Sequence, residues 1–178
     1  MVNTSSFNHR SSADDVLRDQ NLGGQVIIVT GANTGIGYET ARSLAAAGAS
    51  VIATCRTAEK AAATKQRLMQ RYPEGTVETA VMDLASLVSV SDFCTQLSHS
   101  KIDIVICNAG VVAPKYTETS EGFEQTVGVC HVGHFLLVKK LLPKILSAPA
   151  PRIIMVSSES LRTPSRLDFD ALPYPRAK

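Results

Sequence analysis

Short apolar runs alternate along the chain with longer stretches in which apolar residues recur at helical spacing. The runs lie within Gln25–Thr30, Ser50–Cys55, Thr76–Met82, Ile102–Cys107 and Arg152–Val156. Each is too short for a core helix, and their Val and Ile content reads as strand. The first, Val26-Ile27-Ile28-Val29, is continuously apolar and β-branched, which suits a parallel strand covered on both faces. Between them the spacing predicts helices over Ile36–Ala47, Ala58–Tyr72, Val88–Leu97 and Glu121–Leu146. Gly48 stands where the first needs its C′ stop, and Pro73 with Gly75 closes the second. Pro143 is expected to bend or end the last turn of the fourth.

Strands alternating with helices predict an α/β fold, a doubly wound parallel sheet with helices on both faces. The expected strand order is 3-2-1-4-5. Two complete βαβαβ halves would supply six strands, so the last part of the sheet is missing from this reading. Strand five would then be an exposed edge, and the chain is expected to be incomplete at its C-terminus. Residues 1–22 read as a polar tail, with a short helical turn over Ala13–Asp19. Residues 23–178 read as one nucleotide-binding domain, without an internal repeat or a domain-sized linker.

Composition narrows the classes. The 178 residues suffice for one domain with a core, and an apolar fraction of 44%, slightly below the usual soluble range, points to neither disorder nor a membrane protein. A net charge of +2 gives no reason to expect nucleic acid as partner. No apolar run reaches the roughly 18 residues of a spanning helix, and the first 22 residues lack the apolar core of a signal peptide. A cytoplasmic protein, or one peripheral to an organelle, is expected. Cys55, Cys94, Cys107 and Cys130 are scattered, and read as buried thiols. Cys130, His131 and His134 share helical spacing but lack further ligands nearby, so no metal site is expected.

The chemistry gathers where strands end. After Val26-Ile27-Ile28-Val29, the stretch Thr30-Gly31-Ala32-Asn33-Thr34-Gly35-Ile36-Gly37 opens a helix. Glycines let the backbone turn and approach a ligand, and the helix N-terminus favours an anion. Gly31, Asn33, Thr34, Gly35, Ile36 and Gly37 are therefore the candidate pyrophosphate seat of a dinucleotide. An acid ending strand two would hold a ribose 2′-OH and select NAD. Here Cys55 stands at about that position and Arg56 follows; a guanidinium can grip a 2′-phosphate, so NADP is favoured over NAD. The alternative is that Arg56 is an ordinary solvated charge. Asp83 and Leu84 end strand three, and could accept from an adenine amino group and flank its ring; Asp83 as a helix cap is an equal alternative. Asn108, Ala109 and Gly110 end strand four, where small residues allow close approach and Asn108 can bond neighbouring backbone. Ser158 follows strand five.

T-G-x-x-x-G-I-G, D-L, N-A-G and V-S-S, each ending a successive strand, resemble the short-chain dehydrogenase/reductase family over residues about 22 to 163. Leu22–Gly37, Ala53–Arg56, His131–Phe135 and Val156–Ser160 are most similar to its retinol dehydrogenase and WW domain-containing oxidoreductase branch. The resemblance implies a Rossmann-like fold and hydride transfer between a nicotinamide and a carbonyl or alcohol carbon. It implies a small lipophilic substrate, retinoid or steroid-like, and a homodimer as the candidate assembly. The family uses a Tyr as acid/base, a Lys four residues on, a substrate-orienting Ser and an Asn on the long helix. Lowering a phenol from pKa about 10 to neutrality needs roughly 4 kcal/mol of charge stabilisation, which the Lys and the nicotinamide charge can supply.

Ser158 matches the orienting Ser. Cys130 replaces the family's Asn. Tyr174 and Lys178 fit Tyr-x-x-x-Lys at the chain end, but in the similar branch a longer insertion precedes the catalytic Tyr, so the pair is either here or beyond residue 178. A second class stays open beside the enzyme: a non-catalytic dinucleotide-binding or protein-interaction module.

Overall fold

The computed structural model describes residues 7–72 and 76–158. Five parallel strands form one sheet in the order β3-β2-β1-β4-β5. They are β1 (Val26–Thr30), β2 (Ser50–Cys55), β3 (Val77–Val81), β4 (Ile104–Cys107) and β5 (Arg152–Met155). In register, Ile28 of β1 lies beside Ile52 of β2 and Val105 of β4. β2 and β3 lie in turn on one side of β1, and β4 and β5 on the other, so the direction reverses after β3 and the crossover helices cover both faces.

Alternation along β1 divides the core. Ile27 and Val29 pack with Val51, Ala53, Leu44 and Leu68, under α2 (Gly35–Ala46) and α3 (Ala58–Arg71). Ile28 packs the other way with Ile52, Phe93, Leu137 and Leu141, under α4 (Leu87–Gln96) and α6 (Gly133–Leu146). Gly48, at φ +92°, terminates α2 as its spacing predicts. Ahead of the sheet, α1 (Ala13–Leu17) carries a capping box between Ser12 and Asp15. Asp14 on α1 accepts from the buried Arg42 guanidinium at 2.7 Å and from the Ser43 hydroxyl at 2.8 Å, which ties this segment to α2.

The long helix differs from expectation. It is not continuous from Glu121: a turn through Gly122, at φ +82°, precedes it, and Glu124 accepts from the N–H groups of Thr126 and Val127. The helix thus starts as α5 (Gln125–Val127), widens into a π-turn over Gly128–Val132, and continues as α6 past Pro143 to Leu146. Gly128 permits this packing, since a Cβ there would overlap the Thr119 side chain. At the sheet edge, β5 exposes Ile153, Ile154 and Met155. No helix among the described residues is long and apolar enough to cross a membrane.

Candidate functional site

The C-terminal ends of β1 to β4 open into one cleft of about 400 Å³. Gly31, Asn33, Thr34, Ile36 and Gly37 form its floor, where the β1–α2 turn passes. Gly31 and Gly35 have φ of +65° and +57°, the left-handed region that favours glycine. Gly35 makes the turn but does not line the cleft. Thr34 precedes α2 without a side-chain cap bond, so the first-turn N–H groups have no side-chain acceptor from it. Outside the turn, Arg67 on α3 donates to the Asn33 carbonyl at 3.1 Å while its guanidinium lies 3.9 Å from the Tyr38 ring centroid.

Past the end of β2, Arg56 and Lys60 line the same cleft beside Thr54. Lys60 was not anticipated. Because α3 begins at Ala58, Lys60 falls in its first turn, four residues from Arg56, and that spacing is the signal that could have found it. Cys55 does not line the cleft: it is buried, and its thiol lies 3.6 Å from Thr64 Oγ1 on α3. The strand-two end therefore offers the cleft two cations and no carboxylate.

Asp83 and Leu84 line the wall from β3, with Met82 beside them. Asp83 Oδ1 accepts from the Ala85 N–H at 2.9 Å. The cap of α4 is Ser86, whose hydroxyl accepts from the Ser89 N–H at 3.2 Å, so Asp83 is not that cap. From β4, Asn108, Ala109 and Gly110 form the far wall, continued by Val111, Gln125 and Val129, which sequence patterning gave no reason to single out. Asn108 donates its side-chain amide to the Thr30 carbonyl at 2.8 Å, and the Asn108 and Ala109 N–H groups both donate to Thr30 Oγ1 at 2.9 Å.

A second cleft of about 520 Å³ adjoins the first and shares Asn108, Ala109, Gly110 and Val111 with it. Ser158 lines this second space with Cys130, Thr126 and the apolar Met155 and Val156. Cys130 Sγ accepts from the Val111 N–H at 3.4 Å and donates to the Val111 carbonyl at 3.5 Å. Tyr174 and Lys178 lie outside the described residues. The four cysteines are free, and burial pushes the Cys94 and Cys107 thiols up to about 11. No group of His, Cys, Asp and Glu among the described residues could hold a metal ion.

This arrangement of strand ends is shared by known proteins. Residues 25–167 match the model of the short chain dehydrogenases. The chain belongs to that family. Short-chain dehydrogenase relatives include the WW domain-containing oxidoreductase of Danio rerio, 43% identical over 94% of this chain and 41% of its own length. Human retinol dehydrogenase 13 is 40% identical over 87% of this chain and 47% of its own. The chain thus spans less than half the length of these curated relatives. Among solved structures, an uncharacterised protein from Mycobacterium paratuberculosis superposes with a TM-score of 0.75 at 34% identity, covering 91% of this chain and 56% of that one. A metagenomic short-chain oxidoreductase solved in complex with NADP gives 0.69 at 30% identity, covering 80% and 66%.

Proposed function

We propose that residues 23–178 form the nucleotide-binding part of an NADP-dependent oxidoreductase that moves a hydride between the nicotinamide and a carbonyl or alcohol carbon. The observation that carries this reading is the cation pair Arg56 and Lys60 at the end of β2, on a cleft floored by the glycine turn. A 2′-phosphate carries about two negative charges, which a carboxylate at that position would repel. Two cations four residues apart match it. In this reading the pyrophosphate lies along Gly31 to Gly37 and the adenine between Asp83 and Leu84. The nicotinamide then reaches the Asn108–Gly110 wall where the two clefts meet. These residues fit the cofactor: Thr34 leaves the α2 N-terminus without a side-chain cap, and Gly31 and Gly37 line the cleft with no side chain to fill it.

The bound cofactor supplies the hydride. The protein binds it, orients it and places a hydroxyl beside the acceptor carbon. Ser158 is the residue for that last task, because it lines the second cleft and can hydrogen-bond a substrate oxygen. Met155, Val156 and Val112 in the same lining favour a lipophilic substrate, of retinoid or steroid kind.

Titration of the protein with NADPH and NADH, followed by nucleotide fluorescence, tests the reading. Tighter binding of NADPH supports it; equal affinity removes the 2′-phosphate assignment. A second reading, a dinucleotide-binding module without turnover, draws on Cys130, whose thiol engages Val111 backbone where the family has an Asn. NADPH oxidation with a lipophilic aldehyde separates the two.

A further inference from the structure

His134 is 1% exposed and takes no part in the clefts described above. Its two ring nitrogens are nevertheless both engaged. Nε2 lies 2.9 Å from Thr30 Oγ1, and Nδ1 lies 3.1 Å from the Cys130 carbonyl oxygen. The direction of each bond follows from counting. A threonine hydroxyl has one proton and two acceptor sites. Both acceptor sites of Thr30 are taken, by the Ala109 N–H at 2.9 Å and by the Asn108 N–H at 2.9 Å, which is shared with the Ile106 carbonyl at 3.1 Å. The hydroxyl therefore has only its proton left, and it donates that proton to His134 Nε2. Nε2 is then bare, so the ring proton sits on Nδ1, and Nδ1–H donates to the Cys130 carbonyl. One neutral ring in one tautomer satisfies every partner.

The three elements joined in this way frame the site. Thr30 ends β1 and opens the glycine turn; Asn108 and Ala109 end β4 and form the wall shared by both clefts. Cys130 sits in the π-turn and lines the second cleft, as Ser158 does. A π-turn displaces the helical hydrogen-bond ladder, and such turns are frequent at functional sites.

We propose that His134, held as the Nδ1–H tautomer, is the positioning residue that sets the β4 wall and the Cys130 wall at a fixed separation around the reacting ends of cofactor and substrate. It touches neither molecule. It acts through the Thr30 hydroxyl on one side and the Cys130 carbonyl on the other. The alternative role is that of a buried ring filling space between α6 and the sheet, which a phenyl group would serve equally. The proposal rests on the cofactor reading above for its functional meaning, although the tautomer does not.

Nitrogen-15 correlation spectra of the ring settle the tautomer in the protein without cofactor or substrate. The expected spectrum shows Nε2 as a bare imine nitrogen and Nδ1 as protonated; the Nε2–H form overturns the assignment. Three variants then separate positioning from filling. His134→Gln can still accept from Thr30 Oγ1 at the ε position, His134→Asn can still donate to Cys130 at the δ position, and His134→Phe can do neither. NADPH affinity reads the Thr30 side, because Cys130 lines only the second cleft; it is expected to fall about tenfold in His134→Phe, and to stay within about threefold of wild type in His134→Gln. His134→Asn is expected to bind NADPH as weakly as His134→Phe. Wild-type affinity in a folded His134→Phe, or equal losses in all three, overturns the positioning role. If His134→Phe does not fold, the Gln and Asn pair decides. Failure of the wild-type protein to bind NADPH sinks the cofactor reading instead, and leaves the ring spectrum as the separate test of the tautomer.

Discussion

Gly37 runs directly against Asn108: a Cβ added at Gly37 would overlap the Asn108 side-chain nitrogen and the Gly31 carbonyl oxygen. That nitrogen is committed to the Thr30 carbonyl at 2.8 Å, so it cannot withdraw without breaking the link between β1 and β4. The third glycine of the turn is thus required by helix-to-strand packing. Gly37→Ala is expected to lower stability by about 1–3 kcal/mol, the range for overpacking a tight contact, and to weaken NADPH binding with it. Chemical denaturation and a nucleotide titration of the same variant check both.

Gly35 provides the contrast. Nothing lies within 4 Å of a Cβ placed there, but its φ of +57° is unfavourable for other residues. Gly35→Ala is expected to cost about 1 kcal/mol from backbone conformation alone. Gly35→Val adds β-branching at the turn and is expected to abolish NADPH binding. Wild-type affinity in Gly35→Val would mean that the pyrophosphate does not lie over this turn.

Charge reversal at the β2 end addresses nucleotide choice. Arg56→Asp is expected to weaken NADPH binding by about ten- to a hundredfold, the range of a lost charge-assisted bond, and to leave NADH binding nearly unchanged. Lys60→Glu is expected to act in the same direction. If neither changes the NADPH-to-NADH ratio, both side chains are solvated surface charges and the 2′-phosphate lies elsewhere.

The sheet was legible because its signals are local. Each buried strand is a short apolar run, and each strand end carries a residue whose chemistry differs from the run before it. Arg56 could be read for that reason; Lys60 was legible too, four residues on in the first turn of a helix expected from Ala58, but it does not end a strand and so was passed over. The long helix was misread at its N-terminus for a related reason. Glu121 to Gln125 looks helical in composition, yet the Gly122 turn and the Glu124 cap are side-chain and backbone events that periodicity does not register. The π-turn is subtler still, since it is one extra residue in the helical ladder within a five-residue stretch, too short for periodicity to register. The four-residue spacing of Cys130 and His134 was visible, but the bond from His134 to Thr30, 104 residues away on β1, has no local signal.

Acid should expose the His134 network. Burial lowers the pKa of His134 most, the bond to the Cys130 carbonyl opposes that, and the neighbouring His131 lowers it further. The unfolded chain binds a proton at about 6.5, whereas the folded ring resists it. Stability is therefore greatest above about pH 6.5 and falls as the pH drops from there toward the lowered folded value. The expected observation is a denaturation midpoint that declines from pH 7 to pH 5 in the wild type and declines less in His134→Gln. Parallel curves for the two proteins would show that other groups carry the acid sensitivity.

Cys130 offers a test in the opposite direction, toward gain. Its thiol makes two long bonds to the Val111 backbone, at 3.4 and 3.5 Å, and sulfur is a weak partner in both roles. An Asn amide can accept from the same N–H and donate to the same carbonyl with stronger groups. Val111 lies on the wall shared by the two clefts, so under the proposed cofactor placement firmer anchoring there reaches the nicotinamide side and not the adenine side. Cys130→Asn is expected to leave NADPH affinity unchanged and to raise turnover of a lipophilic aldehyde. Cys130→Ala removes both bonds and is expected to lower stability by about 1 kcal/mol. Steady-state kinetics and denaturation of the pair check this. A fall in turnover for Cys130→Asn would show that the thiol is the fitted side chain at this position, and that the surrounding wall is built to its smaller volume.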